Sequence, residues 1–160
     1  MMRLALTICI ILSPVTASWA CPLLDDAAML SFSPPVGGPV VSGFGPRHNP
    51  ILNTTRLHTG VDFAAAMGDP VRATGPGVVM FAGEQAGYGR YARLRHVNGF
   101  ETTYGHLSEL AVRTDDCVAT GGMIGRAGGT RSGSHLHFEI LWNGRFIDPV
   151  YVMERGRLNP

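Results

Sequence analysis

Lysine is absent from this 160-residue chain, and all 13 basic residues are arginines. They meet 12 acidic residues, for a net charge of +1. A balance so near zero gives no argument for nucleic acid as a partner, since phosphate recognition rests on a basic excess. Cysteine is scarce, with three residues in all, too few for a structural zinc closed by four thiolates. Sustained helical periodicity, internal repeats and low-complexity linkers are missing as well, which excludes a coiled coil or a repeat array. The one long apolar run, "LALTICIILSPVTA", is too short for a stable membrane span, and Pro14 interrupts it.

That run sits after the short positive start "MMR" and before "SWA", whose small residues occupy the two positions a signal peptidase inspects. Residues 1–20 therefore read as a signal peptide, with a cut after Ala17 as the alternative, and the protein as exported to a periplasmic or extracellular space. Removing Arg3 with it leaves 12 basic against 12 acidic residues. Cys9 departs too. Cys21 and Cys117 remain, an even pair in an oxidising compartment, and a disulfide between them is expected. Lipid attachment to Cys21 is the weaker alternative, because Ser18 and Trp19 stand where a lipoprotein signal has a Leu-like and a small residue.

Glycine is abundant, 21 residues, which favours a turn-rich β fold over helices. Residues 21–36 form an irregular, Pro-rich strap with at most one helical turn in "DDAAML". From residue 37 to 153 short strand candidates alternate with glycine turns. "GVVMFAGE", "RYARLRHV" and "GFETTYGHL" read as strands, and "GGMIGRAGGTRSGS" as a glycine-dense loop region. "HLHFEILWNGRFIDP" reads as a hairpin, with Asn143-Gly144 at a type I′ turn. Residues 154–160 are a tail. The expectation is a single all-β domain, mainly antiparallel, with glycine-rich loops, few short helices and a groove.

The six histidines carry the chemistry. In an extended "SHLHFEI", His135, His137 and Glu139 share one face and Leu136, Phe138 and Ile140 the other. In "RLHTGVDF", His58 and Asp62 point the same way past Gly60, which has no side chain to obstruct a bound atom. His58, Asp62 and one histidine of the pair make two imidazoles and a carboxylate. That is the three-ligand pattern of a catalytic zinc, with a fourth position left for water. The other histidine of the pair, and His106 in "TTYGHL", are then placed as general base or as donors to an oxyanion.

The order "SGFGPR", "HTGVD", "YGHL", "GRAGGTRSGSHLHFEI" resembles the lysostaphin-type (LytM-like) zinc endopeptidases that cut peptidoglycan peptides, over about residues 40–150. The resemblance implies one zinc per chain held by His58, Asp62 and His137, with His106 and His135 as the catalytic histidines. It implies peptidoglycan peptides as substrate, and a glycine-rich stretch at 121–133 shaping one wall of the groove. Arg47 and Tyr104 are candidate substrate contacts. Glu139 either orients a ligand or forms a rim salt bridge. His48 and His96 fall outside the motifs and are expected to be incidental. Many relatives carry a separate wall-binding domain, for which this chain has no room. The rival reading is a catalytically inactive module that binds or activates another wall hydrolase. Because inactive relatives lose metal ligands and this chain keeps them, the enzyme is preferred. Polyglycine bridges and D-Ala to diaminopimelate cross-links both occur as family substrates, and the second is favoured.

Overall fold

Among the described residues, short β-branched and aromatic runs divided by glycines build twelve strands and one short helix. The computed structural model describes Cys21, residues 30–49 and residues 53–155. The expected signal peptide, most of the "DDAAML" turn and residues 156–160 lie outside the described residues. The strands are β1 (Val40–Ser42), β2 (Gly45–Asn49), β3 (Thr54–His58), β4 (Val61–Ala64), β5 (Pro70–Arg72) and β6 (Gly77–Gln85). They continue with β7 (Gly89–Arg95), β8 (Phe100–Leu110), β9 (Cys117–Val118), β10 (Met123–Thr130), β11 (Gly133–Trp142) and β12 (Arg145–Ile147). Helix α1 (Pro149–Arg155) follows. Among the described residues no helix is long and apolar enough to cross a membrane.

Ten strands form one sheet, with its main path in the order β1-β4-β11-β10-β8-β7-β6-β9, and every pairing is antiparallel. The expected all-β, mainly antiparallel architecture is what the chain adopts. Strand β8 is shared. Its first half pairs with β11 from Phe100 opposite Trp142 to Gly105 opposite His137, and its second half pairs with β10. Strands β2 and β3 stand apart as a two-stranded hairpin. The β11–β12 turn has Asn143 and Gly144 both at positive φ, 49° and 75°, as a type I′ turn requires.

The core lies under one face. Leu136, Phe138 and Ile140 alternate along β11 and are fully buried with Val61, Leu94, Tyr104 and Ile124. Each large apolar side chain so buried stabilises the fold by about 1.5–3 kcal/mol relative to exposure. Leu30, Phe32 and Val36 of the N-terminal strap also enter this core. The strap is tied down by backbone bonds, Ser33 N–H to Thr74 C=O at 3.0 Å and Arg72 N–H to Pro35 C=O at 2.9 Å. A disulfide joins Cys21 to Cys117 on the edge strand β9, with Cα atoms 5.6 Å apart.

One expectation is corrected here. The glycine-dense stretch at 121–134 is not mainly loop, because most of it is β10, a strand inside the sheet. Its glycines mark close approach of neighbouring strands. A Cβ on Gly125 would lie 2.2 Å from the Glu109 carbonyl oxygen, and one on Gly128 would lie 2.6 Å from that of His106.

Candidate metal centre and active site

Pairing of β4 with β11 sets Asp62 directly opposite His137, so their side chains stand on the same face. His58 arrives from the other sheet, as the last residue of β3. The chain crosses between the sheets at Thr59-Gly60. A Cβ on Gly60 would stand 2.2 Å from the Phe138 carbonyl oxygen. Gly60 thus leaves room for the backbone of β11 rather than for a bound atom, which corrects the role expected for it.

His58 Nε2 lies 3.1 Å from Asp62 Oδ1 and 3.1 Å from His137 Nδ1, and His137 Nδ1 lies 2.9 Å from Asp62 Oδ1. The far nitrogen of each ring fixes its tautomer. His58 Nδ1–H donates to the Gly43 carbonyl at 2.7 Å, and His137 Nε2–H donates to Glu139 Oε1 at 3.2 Å. A carboxylate can only accept, so His137 presents a lone pair at Nδ1, and His58 presents one at Nε2 in the tautomer that donates to the Gly43 carbonyl. Two imidazole lone pairs and a carboxylate oxygen facing one another repel unless a cation lies between them. Tetrahedral zinc with bonds of about 2.0–2.1 Å would set these atoms about 3.3 Å apart. The triangle needs to widen by only a few tenths of an ångström, and the donor set fits zinc. Among the described residues these three side chains form a metal-type cluster.

The clustered groups also shift one another's protonation. Burial pushes the His137 imidazole down, but its bonds to Asp62 and Glu139 outweigh this and bring it to about 9. Burial pushes the Asp62 carboxyl up, and hydrogen bonds from His137 and Arg47 more than offset it, leaving it well below the usual carboxylate range.

Beneath His137 sits Glu139, 1% exposed. It accepts from the Thr59 hydroxyl at 2.6 Å and from the Tyr88 hydroxyl at 2.9 and 3.1 Å. Glu139 is therefore the support of His137 and not a rim salt bridge. Arg47 reaches Asp62 Oδ2 at 2.9 Å through Nη2, which also meets Ser42 Oγ and the His58 ring. That contact holds the carboxylate by the oxygen that faces away from the imidazoles.

His106 and His135 share a cavity of about 380 Å³ with the cluster. Their rings meet edge to face with centroids 4.9 Å apart, and His106 lies 5.7 Å from the His137 ring. Simple alternation along β8 would turn His106 toward the core beside Tyr104. A left-handed backbone at His106, φ 59°, prevents this. The strained conformation costs about 1–2 kcal/mol. It is held by the Tyr88 carbonyl, which accepts both the His106 N–H at 2.8 Å and its Nδ1–H at 3.0 Å. Burial lowers the His106 imidazole, and the neighbouring His135 and His137 lower it further.

The structure thus brings His58, Asp62, His106, His135 and His137 into one cavity, with Arg47 on its wall. Thr130 and Ser132, from the glycine-rich segment, also line it. Tyr104 is a correction. It is fully buried and hydrogen-bonded to Thr74 and Thr102, so it cannot touch substrate. His96 lies outside the cavity, as expected, and has a structural place, buried between the Pro76 carbonyl, 2.6 Å, and Thr102 Oγ1, 2.8 Å. His48 is exposed on β2 and is not part of the cavity wall. Tyr88 was not anticipated from sequence, and its only signal is a tyrosine between two glycines in "AGYGR".

Comparison with known proteins gives consistent findings. Residues 56–149 match peptidase family M23. The DD-carboxypeptidase/endopeptidase Mpg of Neisseria meningitidis serogroup B is 43% identical over 132 residues, covering 81% of this chain and 30% of that protein. The chain thus spans about three-tenths of the length of this curated relative. A zinc-containing peptidase from Vibrio cholerae superposes with a TM-score of 0.71 at 35% identity, over 77% of this chain and 39% of the other. The catalytic domain of the antimicrobial peptidase lysostaphin from Staphylococcus simulans gives 0.64 at 30% identity, over 73% and 92%. The resemblance drawn from the motif order and the matched span agree, and the chain belongs to peptidase family M23.

Proposed function

We propose that the chain is an exported zinc endopeptidase that hydrolyses peptide cross-links of bacterial peptidoglycan, with one zinc held by His58, Asp62 and His137. The observation that carries this reading is the convergence of three lone pairs beside two further imidazoles in one open cavity. The substrate class is supported by the relatives, among them the DD-carboxypeptidase/endopeptidase of Neisseria meningitidis and the peptidoglycan DD-endopeptidase ShyC of Vibrio cholerae, 39% identical over 71% of this chain. A DD bond joins two D-centres, which polyglycine lacks, so the D-Ala to diaminopimelate cross-link is the preferred bond. The Cys21–Cys117 disulfide supports an oxidising compartment, and residues 1–20 are assigned as the export signal.

A bound zinc would supply Lewis acidity, to the scissile carbonyl and to water. The proton transfers belong to the chain itself. His106 Nδ1–H is committed to the Tyr88 carbonyl, and His135 Nδ1–H to the Gly133 carbonyl at 3.1 Å. Exchange of a proton at either ring is therefore an event at Nε2. One imidazole takes a proton from the attacking water, and the other, protonated, donates to the oxyanion or to the departing amine. The Tyr88 carbonyl holds the His106 ring for these transfers, and Glu139 holds the ligand His137.

Digestion of purified sacculi with the zinc-loaded protein, followed by identification of the released muropeptides, tests the reading. Cleaved cross-links are expected from the wild type. None are expected after chelation or from His137→Ala, which should also lose its zinc. Intact sacculi after incubation with the zinc-loaded wild type overturn the proposal.

A further inference from the structure

Tyr88 lies on the turn between β6 and β7, with Gly87 at φ 90° on one side and Gly89 at φ 63° on the other. Glycine adopts these angles without penalty, but it also leaves the turn with few restraints of its own. Where the Tyr88 backbone sits therefore depends on what holds its side chain. The ring stacks on Tyr91 with centroids 5.1 Å apart. It also lies over Gly105, where a Cβ would stand 3.3 Å from it. The directional contact is the hydroxyl, which donates to the two oxygens of Glu139 at 2.9 and 3.1 Å. Glu139 is buried and ionised, and a hydrogen bond to a charged acceptor is about twice as strong as a neutral one.

The backbone of the same residue holds His106. The Tyr88 carbonyl accepts the His106 N–H at 2.8 Å and its Nδ1–H at 3.0 Å. His106 needs that support, because its own backbone is left-handed, φ 59°, a conformation disfavoured for a side chain with a Cβ. If the carbonyl shifts, the strain at His106 is free to relax and the ring moves with it. At the phenol end, Glu139 Oε1 accepts from both Tyr88 and the ligand His137. A continuous chain of contacts thus runs from His137 through Glu139 and Tyr88 to His106. We propose that Tyr88 is a positioning residue that couples the two halves of the site: its hydroxyl, anchored on Glu139, sets where its carbonyl holds the His106 ring. The role given to His106 rests on the peptidase reading above, whereas the chain of contacts does not. Tyr88 then acts on the chemical step through His106, and on the metal only through Glu139.

The test compares the wild type with Tyr88→Phe and with Tyr91→Phe. The control removes a hydroxyl from the same aromatic stack, one that donates to Gln85 at 2.8 Å and reaches neither end of the chain. The first measurement needs neither metal nor activity, being nitrogen NMR of the imidazoles in the metal-free protein. The wild type and Tyr91→Phe are expected to hold His106 as the Nδ1–H tautomer, and Tyr88→Phe to show a mixture of tautomers. Gly87→Ala gives a second route to the same carbonyl. A Cβ there meets nothing within 4 Å, but the positive φ is strained, so it perturbs the turn and leaves the phenol in place. It should also mix the His106 tautomers. The second measurement is cleavage of soluble cross-linked muropeptides at saturating zinc. In Tyr88→Phe kcat should fall about tenfold with KM unchanged, as for one hydrogen bond to a charged group that serves the chemical step. A wild-type His106 signature in Tyr88→Phe or in Gly87→Ala, or an equal change in Tyr91→Phe, overturns the coupling. A raised KM with unchanged kcat also overturns it and makes Tyr88 a substrate contact. Absence of cleavage by the zinc-loaded wild type overturns the peptidase reading, and the tautomer spectra then decide the coupling alone.

Discussion

Glu139→Gln separates support of the metal site from support of the fold. Burial pushes the Glu139 carboxyl up, and bonds from His137 and Thr59 more than offset this, so it is ionised beneath the site. Its partners are His137 Nε2–H at 3.2 Å, the Thr59 hydroxyl at 2.6 Å and the Tyr88 hydroxyl at 2.9 and 3.1 Å. Glutamine keeps the shape and removes the charge. Its amide oxygen still accepts, and the Tyr88 hydroxyl can rotate to accept from the new NH₂. The loss should then fall on His137, which no longer donates to a charged acceptor and becomes a weaker ligand through Nδ1. Such partners typically contribute 10- to 100-fold in metal affinity, about 1.4–2.7 kcal/mol at roughly 1.36 kcal/mol per decade. Competition against a chromophoric zinc chelator measures this directly, and thermal melting of the metal-free protein reports the fold. Tyr88→Phe should shift affinity in the same direction by less. Wild-type zinc affinity in a Glu139→Gln variant that melts normally would refute the argument and reduce Glu139 to a buried ion-pair partner.

His106→Ala and His135→Ala should keep full zinc occupancy and lose about 10²- to 10⁴-fold in cleavage rate, measured by metal analysis and muropeptide release; loss of zinc from His135→Ala would exchange the roles of the paired histidines. Reducing the Cys21–Cys117 bridge opens a loop of sequence separation 96. It should remove at most about 4–5 kcal/mol, seen as a lower melting temperature in reductant while zinc is retained; an unchanged melting temperature contradicts it. Burial holds His96 down to about 4 from an ordinary 6.5, so between those values the unfolded chain binds the extra proton. Stability is then unpenalised above pH 6.5 and falls as pH drops toward 4, by about 3 kcal/mol. Denaturant midpoints at pH 7.5 and 4.5 should diverge more for the wild type than for His96→Gln, and parallel shifts would remove His96 from the account.

The strands and the site were legible to different degrees. Alternation in "RYARLRHV" and "HLHFEI" marked β7 and β11, because one face of each packs on the core and period 2 survives in the sequence. The Asn143-Gly144 turn was legible because its two positive φ values need those residue types. The His, Asp and His cluster was legible as a set of residue types in order, although its geometry depends on pairings that no local pattern encodes. Asp62 meets His137 through the β4–β11 register, and His58 comes from a separate sheet. The left-handed backbone of His106 left no trace in "TTYGHL", where alternation predicts the same face for Tyr104 and His106. That one reversal sends Tyr104 into the core and His106 into the cavity.

The glycines explain most of what remained hidden. A high glycine count reads as turns, and several of these glycines do sit in turns at positive φ, among them Gly87 and Gly144. Those nearest the site mark something else. Gly60 lets the β3–β4 crossing press on β11, and Gly125 and Gly128 let β10 lie against β8. A Cβ at Gly105 would stand 3.3 Å from the Tyr88 ring and 3.5 Å from His137 Cβ. Contacts this close bring side chains from β3, β4, β8 and β11 within about 3–6 Å of one another on a sheet rather than on long loops. Two consequences follow from that construction. Ligand geometry is set by strand register, which puts the three ligand atoms about 3 Å from one another. Substitution of Gly60, Gly105 or Gly128 by alanine should then disturb the site through the backbone, altering zinc affinity while every ligand and catalytic side chain is still present.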